Sequence, residues 1–89
     1  MSYSIELSYR AKQELKETIG WYQTKDLELG IRFHNQLKTI LRKIKNNPFQ
    51  YPEKRSPFRE KAMSRFPYII VYEIYWNEIT VYSIFHIKQ

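Results

Sequence analysis

The sequence predicts an α+β fold, with a helical hairpin packed on one face of a small, antiparallel-rich four-stranded sheet in the order β-α-α-β-β-β. Three observations predict it. Apolar residues recur at helical spacing across residues 9–45. The last third of the chain alternates, or runs apolar, in β-branched and aromatic residues. Three of the four prolines fall in "NNPFQYPEKRSP", between the two regimes.

Each element follows in order. "YSIEL" puts Tyr3, Ile5 and Leu7 on one side and reads as a short strand. Ser8 is placed to cap the helix that follows. Ala11, Leu15, Thr18, Ile19 and Tyr22 form its apolar stripe, and Trp21 and Tyr22 are expected to pack into the helix–helix seam. Gly20 interrupts that helix at a cost of about 1 kcal/mol against Ala, unless another backbone approaches closely there. Asp26 caps a second helix, with Glu28 in the favourable first turn. Leu29, Phe33, Leu37, Ile40, Leu41 and Ile44 make its stripe, and Pro48 ends it. The tight connection at Asp26 makes the two helices antiparallel neighbours. "NNPFQYPEKRSP" is read as a loop. In "FREKAMSR" the alternation sends Arg59, Lys61, Met63 and Arg65 one way, so that face is expected to be wet. "YIIVYEIY" has the near-continuous apolar character of a strand covered on both sides. After the turn "WNE", "ITVYSIFHIK" places Ile79, Val81, Phe85 and Ile87 on one face and Thr80, Tyr82, Ile84, His86 and Lys88 on the other.

Eighty-nine residues allow one domain, spanning 1–89. Cysteine is absent, which excludes disulfides and cysteine zinc sites, and two histidines far apart make a poor metal set. There is no apolar leader and no run of transmembrane length, so the expected location is the cytoplasm. The net charge of +6 is uneven. Lys38, Arg42, Lys43, Lys45, Lys54, Arg55, Arg59, Lys61 and Arg65 meet only Glu53 and Glu60, so the middle third carries the whole excess. Such a cluster is either a solvated face or a docking surface for an anionic partner.

The chemistry the chain lacks narrows its activity. With only Gly20 and Gly30 there is no phosphate-cradling glycine loop. No Ser or Thr sits in a nucleophile motif, and Glu73 and Glu78 are separated by a turn. Cations, aromatics and one C-terminal histidine remain. Those parts suit metal-free RNA cleavage, with His86 as acid or base and Arg59, Lys61, Arg65 and Lys88 on phosphate. They equally suit a binding surface. Trp76 in the turn is the aromatic least suited to a core and best suited to anchor a partner.

Taken in order, several segments resemble the RelE/ParE superfamily of bacterial toxins. They are the Trp21–Tyr22 pair, "LELGIRF", "NNPFQYP", and above all "RFPYIIVY" followed by "ITVYSIFH". The resemblance covers nearly the whole chain. It implies the superfamily's β-α-α-β-β-β fold and the toxic half of a type II toxin–antitoxin pair, silenced by a cognate antitoxin. One branch cleaves messenger RNA on the ribosome; the ParE-like branch stalls DNA gyrase without catalysis. The cleaving branch carries Arg in Tyr-Arg-Leu-Val-Tyr where this chain has Ile69, and a terminal-strand Arg where it has Ile87 or Lys88. Losing a charge that stabilises a transition state costs about 10²–10³ in rate. The resemblance therefore implies a ParE-like gyrase inhibitor, with no cofactor, metal or membrane partner. Arg59, Lys61, Arg65, Trp76, His86 and Lys88 are its expected target contacts. The alternatives are a ribosome-dependent, metal-independent endoribonuclease using His86, Arg65 and Lys61, and an inactive relative that binds only its antitoxin.

Overall fold

The computed structural model describes residues 2–87. Its elements are β1 (Ser4–Leu7), α1 (Tyr9–Lys25), α2 (Leu27–Asn46), a 3-10 turn (Pro48–Gln50), β2 (Glu53–Arg55), β3 (Phe58–Ala62), β4 (Tyr68–Tyr75) and β5 (Glu78–His86). One sheet holds all the strands in the order β1-β5-β4-β3-β2. β1 runs parallel to β5, and every other pair is antiparallel. The α+β architecture is as expected, but the sheet has five strands where four are expected. The extra strand, β2, lies in the stretch read as a loop. It has three residues, all exposed, so it buries no side chain that could imprint a periodic pattern on the sequence.

Capping residues set the helices. The Ser8 hydroxyl accepts from the Ala11 N–H at 3.1 Å, and the Asp26 carboxylate accepts from the Glu28 N–H at 2.9 Å. Asp26 also donates its own N–H to the Tyr22 carbonyl, so one residue closes α1 and opens α2. The close approach of the helices falls at Gly30, not Gly20. A Cβ on Gly30 would lie 2.7 Å from Gln23 Cγ and 3.4 Å from the Ile19 carbonyl, whereas one on Gly20 would meet nothing within 4 Å. Tyr22 enters the seam and stacks on Phe33 with ring centroids 5.6 Å apart. Trp21 does not; it stays 55% exposed.

The core is the layer between this hairpin and the sheet. Phe33, Leu37, Ile40 and Ile44 from α2 meet Tyr68, Ile70, Tyr72, Ile79, Val81 and Ile84 from β4 and β5. Each fully buried aliphatic or Phe side chain contributes roughly 1.5–3 kcal/mol. At the centre, the buried Tyr72 hydroxyl donates to the Pro48 carbonyl at 2.7 Å. That bond ties the segment after α2 to the middle strand.

β5 departs from simple alternation. Val71 pairs with Ser83 but Tyr72 pairs with Val81, so Tyr82 is an extra residue, a β-bulge. One added residue inverts the phase of everything after it. Ile84 is therefore in the core with Ile79 and Val81, while Phe85 points out, the reverse of the expected faces. His86 lies on the core side, opposite Tyr68. β4 also differs from expectation. Tyr68, Ile70 and Tyr72 are buried, but Ile69 and Val71, on the opposite face, are only half-buried.

Candidate functional site

The pairing of β3 decides where the expected cations go. Arg59 pairs with Tyr72 and Lys61 with Ile70, so both point to the helix side of the sheet, not to a wet face. Met63, next on that side, is buried. Beyond the reach of α2 this side is covered by residues 48–51. The Arg59 guanidinium donates to the Tyr51 carbonyl at 2.6 Å and the Phe49 carbonyl at 3.5 Å. It lies 5.2 Å from the Phe49 ring centroid and 3.9 Å from the Glu53 carboxylate, and its side chain is 17% exposed. Arg59 is thus a structural clasp. Lys61 Nζ sits 5.0 Å from the Tyr51 ring centroid and is half-buried. Arg65 lies past the end of β3, exposed, its backbone N–H donating to Gln36 Oε1 at 3.3 Å.

His86 is half-buried, edge-on to Tyr68 with centroids 5.1 Å apart. It lines one cavity with Glu14, Glu17, Thr18 and Tyr68, and an adjoining one with Trp21. Among the described residues, no Lys or Arg lines either cavity. Glu14 is committed to structure. Its carboxylate accepts from the Ser83 hydroxyl at 2.9 Å and the Ile84 N–H at 2.8 Å. A developing phosphorane here would face carboxylates rather than the preorganised positive charge it needs.

Trp76 occupies the first position of the two-residue turn between Tyr75 and Glu78, with φ 56°, and is 81% exposed. A tryptophan gains nothing locally from either condition, since positive φ favours glycine. It borders an open apolar cavity with Tyr3, Phe49 and Asn77. The open sheet face adds half-exposed Tyr82 and Phe85. The Tyr82 hydroxyl donates to Glu73 at 3.0 Å, and that bond, ahead of burial, holds its pKa above the usual tyrosine value.

The expected site residues are therefore divided. Arg59 and Lys61 share the loop-covered edge, His86 lines the Glu14–Glu17 cavity, Arg65 borders a cavity beside α2, and Trp76 is at the hairpin tip. Lys88 lies outside the described residues. Sequence reasoning missed Glu14, which joins positions 69 and 70 residues away, and Arg32, which shares the cavity with Arg65. A helix pattern marks both only as surface residues.

Comparison with known proteins gives a consistent picture. No curated protein matches the chain significantly. Among solved structures, one from the chromosomal ParDE toxin–antitoxin system of P. aeruginosa superposes with a TM-score of 0.85. It covers 98% of each chain at 14% identity, a likeness of fold. The family model described as the ParE toxin of the type II toxin–antitoxin system parDE matches residues 5–89. With that match over nearly its whole length, the chain belongs to the ParE toxin family of type II toxin–antitoxin systems.

Proposed function

We propose that this toxin acts by binding and poisoning DNA gyrase, without catalysis, and that a cognate antitoxin keeps it silent. The observation that carries this reading is the separation of the side chains a nuclease would need. His86 sits among carboxylates, and Arg65 and Lys61 line neither of its cavities. The family match and the likeness of fold to a chain of a ParDE toxin–antitoxin system favour the same reading. Lys61, Arg65, Trp76, His86 and Lys88 are the proposed target contacts; Arg59 is assigned to the fold. The antitoxin segment that suits a chain of net charge +6 with exposed Tyr82 and Phe85 is acidic and amphipathic.

Expression of the chain alone, with DNA-damage signalling and translation followed separately, tests the proposal. The expected result is an early damage response with translation intact, accumulation of cleaved DNA with purified gyrase, and retained toxicity in His86→Ala. Rapid translational arrest with cut messages, abolished by His86→Ala, would overturn it in favour of an endoribonuclease.

A further inference from the structure

A cavity of about 390 Å³ lies between the first half of α2 and the loop from β3 to β4. Leu29, Arg32, Asn35, Gln36, Arg65 and Phe66 line it, and none is acidic. Its size is at the lower end of the range for small-molecule sites, roughly 300–1,000 Å³. Arg32, Asn35 and Gln36 share one helical face at i, i+3 and i+4. Arg65 comes from the opposite wall, where its backbone N–H donates to the Gln36 side chain. No ion pair engages Arg65 among the described residues. Among the described residues Arg32 pairs with Glu28 four residues earlier, with both side chains mostly exposed, a weak contact that a stronger anion displaces.

We propose that this cavity binds a nucleotide. Its phosphate sits between the Arg32 and Arg65 guanidiniums, and its base lies against Leu29 and Phe66 within reach of the Asn35 and Gln36 amides. Two planar guanidiniums from different elements match the forked oxygens of a phosphate, a dianion in a free nucleotide and a monoanion within a strand, because its tetrahedral oxygens can face both at once. The amides carry both donors and acceptors, which is what a base edge requires and an acidic side chain does not. The apolar walls supply the surface on which a ring packs. The nucleotide comes either free or as part of a single strand. The inference shares Arg65 with the proposed target contacts but does not require gyrase to be the target, since it is read from ligand binding to the chain alone.

Calorimetric titration of the full chain with inorganic phosphate, AMP, a short oligothymidylate and an oligoglutamate peptide tests the site. AMP is expected to saturate at one per chain and to bind more tightly than phosphate. Arg32→Gln and Arg65→Gln should each weaken it about tenfold or more, because each removes charge-assisted hydrogen bonds. Lys54→Gln removes the same charge outside the cavity and should change affinity less than about twofold, with circular dichroism confirming the fold of all three variants. Saturation by AMP identifies a free nucleotide as the ligand; binding of the oligonucleotide alone identifies a strand. The proposal fails if neither binds, if all three variants weaken binding equally, if phosphate binds as well as AMP, or if oligoglutamate is preferred.

Discussion

Tyr72 shows how much a single side chain carries. Burial pushes its hydroxyl pKa up to about 12, although the nearby Arg59 pulls it down. Below pH 10 the phenol is neutral whether the chain is folded or not, so its contribution to stability is fully present there. As pH rises from 10 toward 12 the unfolded chain ionises first, and that contribution is lost. Denaturant unfolding across this window should show the decline, and Tyr72→Phe should flatten it. At neutral pH the same variant should lose about 1–2 kcal/mol, because the Pro48 carbonyl is left without its buried donor. Gly20 gives the opposite sign. Nothing occupies the space a methyl group would take, so Gly20→Ala should add about 0.5–1 kcal/mol of stability, read as a raised thermal midpoint. Ser8 and Asp26 were legible as caps because a cap is a local device. Gly30 was not, because the carbonyl it approaches belongs to another helix.

Among the elements, β1 is only four residues long, so past Val81 it leaves the outer edge of β5 without a strand partner. The start of α1 takes over. The Ser8 hydroxyl donates to the Tyr82 carbonyl at 3.0 Å, and Glu14 receives the Ser83 hydroxyl and the Ile84 N–H. A helix side chain thus holds the bulge that sets the phase of the terminal strand and aims His86 at Tyr68. Glu14→Ala should cost about 2 kcal/mol and weaken amide protection at Ile84 selectively, as hydrogen exchange would show. Unchanged exchange there would refute the role given to Glu14. The helices and the β4–β5 hairpin could be read from apolar period and turn chemistry, whereas the 3-10 turn at Pro48–Gln50 lay inside a stretch read only as a loop. The bulge could not, since an inserted residue looks like ordinary alternation until the partner strand is known. β2 could not either, because backbone pairing to β3 is all that defines it.

For the molecule as a whole, the excess positive charge was read correctly from composition, but its placement was not. Arg59 and Lys61 look like a solvent face in the strand pattern; the sheet pairing turns them inward over Phe49 and Tyr51. Arg59→Ala should therefore lower global stability by roughly 2 kcal/mol, whereas Arg65→Ala should leave stability within about 0.5 kcal/mol of wild type, as denaturant unfolding would show. Loss of activity without loss of stability in the Arg59 variant would reverse that assignment. The parallel pairing of residues 4–7 with residues 78–81 has one more consequence. During synthesis the first strand leaves the ribosome with no edge to join, and it waits until the second arm of the β4–β5 hairpin has emerged. A nascent chain can pair the three middle strands early, but its first strand stays outside the sheet until residues 78–81 have been made.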